Sequence, residues 1–321
     1  MQPFFLPPPP DACSGQCGGP RFAVLHRPPG IPQGLVVFVH PFAEEMNKSR
    51  RMAALQARAL AGQGWAVLLP DLLGCGDSAG DFGDASWAAW VDDVVHASTW
   101  LREQARGWAA APATAAPATA ASADPPPPPP LTLWGLRTGA LLAAEAATRL
   151  GDVERLLFWQ PALSGKTVLQ QFLRLQMASE LLGGDAAGGT EALRTRLAAG
   201  DSVELAGYRL SPGLTQGLER ARLEPPPGVR LLHWLDLSPR AEATLAPGSA
   251  GAVARWREAG CEVHAQVVAG PSFWQTTEIE DAPGLIEATL RAMAMPLPLP
   301  LPLPLPLPLP LPESSPAAIA A

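Results

Sequence analysis

The sequence predicts an α/β fold with a mostly parallel central sheet, helices on both faces of that sheet and a small helical lid. Two observations support this prediction. Short apolar runs alternate with amphipathic stretches along most of the chain, as strands and helices do in a parallel sheet. Turns of unusual composition follow four of these runs, at the strand ends where open parallel sheets place their functional residues.

The predicted strands are apolar runs bounded by turn residues, and the run at residues 35–39 is apolar at every position, as in a strand buried on both faces. The predicted helices begin at capping residues and end at glycines; Asn47 opens one that Gly62 and Gly64 stop. In chain order, strands are expected near residues 22–26, 35–39, 65–69, 131–135, 153–159, 229–235 and 261–268. Helices are expected near residues 47–61, from residue 84 or 86 onward, and near residues 138–150, 252–259 and 283–293.

Length and composition suit one α/β domain. Of the 321 residues, 47% are hydrophobic, and about 250 lie outside low-complexity sequence and can fold. The formal charge of −7 disfavours nucleic acid or an anionic membrane as a partner. Cys13 and Cys17 could pair or share a metal, but no second pair at zinc-ligand spacing follows. Free thiols in a reducing compartment are therefore expected, with neither metal nor cofactor.

Composition also divides the chain into core and additional segments. We expect the core in three parts, residues 21–106, 131–162 and 224–295. Residues 107–130 are rich in alanine and proline and are expected to form a flexible insertion. Residues 163–223 read as helical pieces broken by glycine pairs, which fits a lid over the carboxyl edge of the sheet.

The two ends of the chain are expected to be disordered. Residues 1–20 contain four consecutive prolines and neither a basic region nor an uninterrupted apolar one, so we predict no signal peptide there. Residues 296–321 begin with alternating proline and leucine. Proline lacks the amide that a membrane helix needs, so this tail is expected to be a polyproline II or disordered segment and not a membrane span.

Two of the distinctive turns follow early strands. The run at residues 35–39 leads into His40 and Phe42 around a proline, which are either site residues or an anchor of the turn. Residues 71–80 form a glycine-rich turn with no Gly-Lys-Ser/Thr after it, which disfavours a phosphate-binding loop. Ser78 in this turn is better explained as a turn or cap residue than as a nucleophile.

The third turn, residues 135–139 (Gly-Leu-Arg-Thr-Gly), joins a strand to a helix. In α/β-hydrolases, Gly-x-Ser-x-Gly at this place forms the nucleophile elbow, whose glycines let strand and helix pass close together. The central residue here is Arg137, which stays protonated and cannot attack a carbonyl group. Its planar fork can bind an anion. Arg137 therefore either binds a ligand or pairs with a neighbouring carboxylate such as Asp236.

The fourth turn, residues 269–274, lies where a serine triad would place its histidine base. Ser272 and Phe273 stand there instead, and His264 is expected to be a half-buried residue of the preceding strand. Asp236 lies near the position of the triad acid. Because only one of the three roles is filled, the sequence predicts no working Ser-His-Asp triad.

Four segments together resemble the hydrolases associated with the exosortase A system, and among them the second type. They are residues 40–50 (HPFAEEMNKSR), 71–78 (DLLGCGDS), 134–137 (WGLR) and 270–277 (GPSFWQTT), and the likeness covers residues 22–293. The resemblance implies the α/β-hydrolase fold and a cytoplasmic accessory protein encoded with exopolysaccharide biosynthesis and exosortase protein-sorting machinery. Proteins of that pathway are therefore candidate partners. Because a fold does not establish an activity, the substrate stays open.

We favour a degenerate hydrolase that binds an anionic or acyl ligand, because an activated nucleophile needs an adjacent base and none is visible. Its candidate ligand contacts are His40, Phe42, Glu44, Ser78, Arg137 and Thr138. The alternative is an active hydrolase of an ester, thioester or amide that uses a carboxylate or water mechanism, with the arginine as a substrate clamp. Its candidate carboxylates are Glu44, Glu45, Asp77 and Asp236. A scaffold that acts through the proline-rich tail is a third hypothesis.

Overall fold

The computed structural model describes residues 1–9, 18–110, 129–183, 190–205 and 207–298. Its strands, numbered in chain order, are β1 (Gln2–Leu6), β2 (Arg21–His26), β3 (Gly34–Val39), β4 (Trp65–Pro70), β5 (Leu131–Leu136), β6 (Arg155–Trp159), β7 (Val203–Leu205), β8 (Tyr208–Leu210), β9 (Leu231–Ser238) and β10 (Glu262–Ala269). Its helices are α1 (Glu44–Gly62), α2 (Trp87–Ala110), α3 (Gly139–Leu150), α4 (Gly165–Gly183), α5 (Thr190–Ala199), α6 (Pro212–Arg220), α7 (Pro247–Glu258) and α8 (Pro283–Met293). A short 3-10 helix, Phe82–Asp84, precedes α2.

Eight strands form one sheet in the order β1-β2-β4-β3-β5-β6-β9-β10. Within this sheet, β4, β3, β5, β6, β9 and β10 run parallel to one another, whereas β1 pairs antiparallel with β2, and β2 antiparallel with β4. The register sets Val39 opposite Gly135, and Gly135 opposite Phe158. The carboxyl ends of β3, β5, β6 and β9 therefore meet at one edge of the sheet, where the sequence predicts the site.

Helices cover both faces of this sheet. Along β3, Leu35, Val37 and Val39 pack in the core on the side of α2 and α3, whereas Val36 and Phe38 pack in a second core with α1 and α8. Successive side chains of a strand point to opposite faces, so burial on both faces requires an apolar residue at every position. This explains the uninterrupted apolar run of β3. Among the described residues, no helix is both long and apolar enough to cross a membrane.

The mostly parallel sheet is confirmed, but the prediction of a disordered N-terminus is wrong for Gln2–Leu6. These residues form β1, the antiparallel edge strand beside β2. Packing explains why the segment is ordered: the Phe4 ring stacks on Trp100 of α2 with 4.7 Å between ring centroids, and Leu6 is buried.

Three predicted boundaries also differ from the structure. Helix α1 begins at Glu44 and not at residue 47, because Ala43 turns the chain at a φ of 50° and lets the helix start directly after it. Helix α2 runs to Ala110, past the predicted start of the insertion at residue 107, and Trp108 near its end packs under Arg27. The predicted helical lid, residues 163–223, contains the hairpin β7–β8 as well as α4, α5 and α6.

Some predictions fall outside the described residues. These are the predictions for residues 10–17, with Cys13 and Cys17, for residues 111–128 of the insertion, and for residues 299–321 of the tail. The other two cysteines, Cys75 and Cys261, are buried free thiols.

Candidate functional site

The turn between β5 and α3 has the tight geometry that its glycines predict. A Cβ atom on Gly135 would overlap the backbone of Ala140, and one on Gly139 would overlap the carbonyl oxygen of Val39. Between them, Arg137 adopts a left-handed φ of 54°, which costs an L-residue about 1 kcal/mol. Backbone hydrogen bonds of 3.0 Å, from Arg137 N to Trp159 O and from Ala162 N to Arg137 O, hold this conformation. The backbone therefore presents residue 137 at the carboxyl edge of the sheet.

The Arg137 side chain pairs with Glu45 of α1. The Arg137 Nε atom lies 3.3 Å from Glu45 Oε1, and the two side chains are only 15% and 21% exposed. The guanidinium carbon lies 5.7 Å from the centroid of the Trp274 ring. Within the described chain, the two terminal amino groups of Arg137 donate no hydrogen bond. The fork of the guanidinium group is therefore available to an anion.

Arg137 thus pairs with a neighbouring carboxylate, as one of the two interpretations expects, but that carboxylate is Glu45 and not Asp236, the example given from the sequence. Asp236 accepts a hydrogen bond of 2.8 Å from Trp234 Nε1, and Ser249 also hydrogen-bonds to it. Burial raises the pKa of Asp236, and the nearby positive charge of Arg137 partly opposes that rise. Asp236 thus lies within electrostatic range of Arg137, as its position at the end of β9 predicts, but its oxygens bond to other groups.

Burial also raises the pKa of Glu45, while Arg137 and Gln275 lower it. Two further buried polar atoms, one in the residue that follows Arg137 and one in the ring near its guanidinium group, have no partner among the residues described. They are Thr138 Oγ1 and Trp274 Nε1, both in buried residues. A buried polar atom without a hydrogen bond costs roughly 1–3 kcal/mol, so each such atom calls for a water or a ligand.

The loop after β10 places no base beside Arg137. Phe273 is buried, with its ring 6.1 Å from Trp159 and 5.1 Å from Trp274. Ser272 accepts a backbone hydrogen bond from Gln275 N through its carbonyl oxygen. The position of a triad histidine is thus occupied by an apolar ring packed into the second core. Among the described residues, no hydrogen bond joins Ser272 to Arg137 or to Asp236.

Hydrogen bonds of His40 join the loop after β3 to the loop after β4. Its Nδ1 lies 2.8 Å from the carbonyl oxygen of Pro41, and its Nε2 accepts a hydrogen bond of 3.3 Å from Leu72 N. These contacts assign a neutral ring with the proton on Nδ1. Burial lowers the pKa of His40, in agreement with that state. Both ring nitrogens are engaged, so the structure supports the turn-anchor interpretation, and His40 as a ligand contact stays a prediction.

Ser78 likewise serves its own loop. Its hydroxyl donates to Asp71 O at 2.6 Å and accepts from Phe22 N at 2.9 Å. Asp77 N donates to Asp71 Oδ2 at 3.1 Å, so the glycine-rich turn folds around Asp71. These bonds support the turn or cap interpretation of Ser78, and the described contacts bring neither Ser78 nor Asp77 to Arg137.

Rings from five separate segments fill the space between the sheet edge and the lid. We call them the aromatic cluster, and its members are Phe42, Phe82, Trp90, Phe172 and Tyr208. Phe42 lies in its centre, 5.2 Å from Phe172 of α4. Glu44 accepts a hydrogen bond of 3.0 Å from Tyr208 and so holds hairpin β7–β8, not Arg137. Apart from Phe42, this cluster is not predictable from the sequence, because local periodicity does not show which distant segments will meet.

A cavity of about 570 Å³ lies away from the elbow. It lies between α2, α3 and α6, and none of the predicted site residues lines it. The elbow presents a guanidinium group, with a side chain that is 15% exposed, at the carboxyl edge of the sheet.

No protein-family model matches the chain, and no curated protein is significantly similar to it in sequence. Solved structures are similar in fold. The esterase Est1E from Butyrivibrio proteoclasticus, with ferulic acid bound, has a TM-score of 0.53 and 18% identity over 88% of this chain and 98% of its own. A putative hydrolase from Agrobacterium vitis S4 has a TM-score of 0.53 and 13% identity over 91% and 97%. Mouse alpha/beta hydrolase domain-containing protein 10 has a TM-score of 0.50 and 13% identity over 91% and 98%.

Sheet order, helices on both faces and these similarities agree with one another. The chain has the α/β-hydrolase fold.

Proposed function

We propose that this protein does not act by a serine-hydrolase mechanism and that it binds an anionic or acyl ligand at Arg137. The observation that carries the proposal is the guanidinium group itself. It occupies the elbow position, is only 15% exposed, and leaves its terminal amino groups unpaired within the described chain.

The chemistry argues against nucleophilic catalysis at the elbow. Arginine remains protonated at any relevant pH and has no lone pair to donate. A serine or cysteine nucleophile also needs a base within hydrogen-bonding distance. All five histidines lie in the described part of the chain, and no hydrogen bond joins any of them to Arg137 or Asp236. The elbow frame therefore supports binding better than acyl transfer.

Several features favour an anionic group as the ligand. A planar fork binds a carboxylate or a phosphate through two parallel hydrogen bonds. Arg137 stands directly before α3, whose N-terminus carries a partial positive charge. Thr138 Oγ1 and Trp274 Nε1 can donate to ligand oxygens that would relieve their lack of partners. Glu45 limits the negative charge that the ligand can carry. Its carboxylate neutralises part of the positive charge of the guanidinium group, so a multiply charged ligand is disfavoured here.

The resemblance of the four sequence segments supports a place for this protein in an exosortase A and exopolysaccharide system, in the cytoplasm. Its partners would then be proteins of that pathway. A strain that lacks the protein should show altered exopolysaccharide production or protein sorting, restored by the wild type. Restoration to the same extent by Arg137→Gln would argue that the elbow has no part in that role.

Binding at Arg137 can be tested by calorimetry with hexanoate, a short acyl carboxylate. We expect Arg137→Gln to weaken binding roughly tenfold or more, because a charge-assisted, partly buried contact is lost. Arg106→Gln is the matched control, since Arg106 is exposed on α2 and the change in charge is the same. Equal affinity in the two variants would refute the proposal.

A serine-directed fluorophosphonate tests the other half of the proposal, the absence of a serine-hydrolase mechanism. The probe should leave the wild type unlabelled, and stoichiometric labelling would contradict that absence.

One observation favours a second candidate, an active hydrolase with a carboxylate or water mechanism. Of the four candidate carboxylates, Glu45 contacts Arg137, and burial raises its pKa toward the range of a general base. Under this hypothesis Glu45 activates a water and Arg137 clamps the substrate. Turnover of an ester, thioester or amide that disappears in both Glu45→Gln and Arg137→Ala would establish it. Wild-type turnover no higher than that of these variants would exclude it.

A further inference from the structure

A groove on the lid, away from the elbow, gathers positive charge in an acidic protein. It surrounds a cavity of about 410 Å³ beside the C-terminal half of α6 and the first residues of α4. We call it the lid groove, and it is lined by Lys166, Gln216, Glu219, Arg220 and Arg222. Three of these five side chains are cationic, although the whole chain carries a formal charge of −7.

Two neighbouring cavities share walls with the lid groove. On one side, the cavity of about 570 Å³ between α2, α3 and α6 shares Arg220 and Arg222 with it. On the other side, a cavity of about 260 Å³ shares Lys166 and adds Arg194 of α5. The cations therefore line the middle of one extended depression.

Within the described chain these cations meet no carboxylate at ion-pair distance, although Glu219 lines the same groove. Among the residues that the structure describes, Lys166, Arg194 and Arg220 form no ion pair, and Arg222 bonds only to the carbonyl oxygens of Glu219 and Ala221. Arg194 Nε is also buried without a hydrogen bond. Elsewhere in the described chain, arginines commonly meet an acid, as Arg51 does with Asp281 and Arg149 with Asp92.

Unpaired cations that converge on a concave surface repel one another, and a buried N–H donor without an acceptor costs free energy as well. An anion in the groove offsets the repulsion among its cations. We propose that the lid groove binds a small organic diphosphate, with its phosphates between Lys166, Arg220 and Arg222 and its organic part in the adjoining larger cavity. This site is separate from the elbow and does not depend on the function proposed there.

Charge decides the class of ligand. Three cations and one carboxylate, Glu219, line the cavity and give it a formal charge of about +2, which matches a group of about two negative charges, and arginine forks suit phosphate oxygens. A long polyanion such as nucleic acid would experience the net negative charge of the whole protein, whereas a small anion responds mainly to the nearby groove, because salt screens charges beyond about 10 Å.

The adjoining cavity favours an organic part with polar groups. Its walls combine apolar surface from Trp87, Ala144 and Pro225 with two carboxylates, Glu145 and Glu224. Glu145 is held by a hydrogen bond of 2.7 Å from Trp87 Nε1. The carboxylates repel phosphate from this end of the depression and can accept hydrogen bonds from hydroxyl or amino groups. The ligand is thus oriented with its phosphates at the lid groove.

Calorimetry on the full-length protein with inorganic diphosphate and with adenosine diphosphate tests the proposal. We expect both probes to bind the wild type, the organic diphosphate more tightly. The double variant Arg220→Gln/Arg222→Gln should weaken both roughly tenfold or more. Arg106→Gln/Arg255→Gln removes the same charge from exposed positions outside the groove and should change little. Arg137→Gln should leave both affinities unchanged, which separates this site from the elbow.

No binding of either probe at millimolar concentration would overturn the proposal, and so would equal affinities in the two double variants. Binding of inorganic diphosphate as tight as that of adenosine diphosphate would refute the place given to the organic part. If Arg220→Gln/Arg222→Gln has a lower melting temperature than the wild type, Lys166→Gln takes its place in the test. Lys166 is exposed, so its substitution removes one positive charge from the groove without disturbing the core. The Lys166→Gln protein should then show the weaker binding.

Discussion

At the scale of single residues, the elbow is specified by its glycines and not by the residue between them. Gly135 and Gly139 are required because Cβ atoms there would meet the backbone of α3 and of β3. The left-handed conformation at residue 137 strains arginine about as much as serine, since both carry a Cβ atom. The central side chain can therefore change from a nucleophile to a cation without loss of the frame.

A substitution at Gly139 tests this account. Gly139→Ala should destabilise the protein by about 2–4 kcal/mol, because the new methyl group overlaps the carbonyl oxygen of Val39, a backbone atom that cannot move alone. Gly62→Ala, at the end of α1, is the control, since a Cβ atom there meets nothing within 4 Å. It should be neutral or slightly stabilising. Urea unfolding compares the two variants, and equal effects would contradict the steric explanation.

His233 predicts a pH dependence of stability. Its side chain is fully buried with both ring nitrogens unpartnered within the described chain, and burial, together with Arg155 and His264, lowers its pKa to about 3. The unfolded chain takes up this proton near pH 6.5 and the folded chain does not. Stability from the neutral ring is thus complete above pH 6.5 and is lost as pH falls toward 3.

His233→Leu should remove this dependence. Between pH 7 and pH 5, the free energy of unfolding of the wild type should fall by roughly 2 kcal/mol more than that of the variant. Chemical denaturation at both pH values measures the free energy of unfolding of each protein. The contributions of histidines remote from His233 are the same in both proteins and cancel in the comparison. Parallel losses in the two proteins would show that His233 titrates normally in the folded state.

The residue patterns predicted Arg137 but not its partner. Glycine spacing after a strand fixes the elbow in sequence, so the position of the arginine follows. The choice of Glu45 over Asp236 depends on where α1 begins. Helix α1 begins at Glu44 because Ala43 adopts a positive φ, and no residue pattern predicts that conformation. The sequence instead offers an ordinary capping residue, Asn47, three residues after Glu44.

At the scale of elements, the central strands were predictable and the first edge strand was not. Parallel strands buried on both faces must be apolar throughout, so runs such as residues 35–39 stand out in the sequence. Strand β1 has one exposed face, with Phe5 58% exposed, and a run of prolines follows it. Its order depends on Phe4 stacking on Trp100 of α2, a contact between residues almost a hundred positions apart.

The contribution of β1 can be measured with its two adjacent rings. Phe4→Ala should destabilise the protein by about 1–3 kcal/mol, because it removes the stacked contact with Trp100 and the apolar area that the ring buries. Phe5→Ala is the matched control, since the Phe5 ring points to the exposed face and should cost clearly less. Thermal unfolding of both variants decides the point. Similar melting temperatures would mean that β1 adds little to the fold.

At the scale of the whole molecule, the lid meets the sheet edge through the aromatic cluster. Phe172 comes from α4 and Tyr208 from β8, while Phe42, Phe82 and Trp90 come from the core. Hydrophobic periodicity assigns elements but does not say which distant rings will meet, so the lid was predictable as a segment and its contact with the core was not. The cluster therefore joins the lid to the core at this edge of the sheet.

Phe172→Ala should therefore loosen the lid more than the core. Phe172 is half-buried and lies 5.2 Å from Phe42, so its truncation should cost about 1–2 kcal/mol of lid closure. Amides of α4, α6 and the hairpin β7–β8 should exchange with deuterium about five to thirty times faster, whereas β5 and α3 should keep their protection. Phe5→Ala, at an exposed ring far along the sheet, should change neither. Faster exchange throughout the core in Phe172→Ala would show that the lid and the core unfold together, and would contradict a separate opening of the lid.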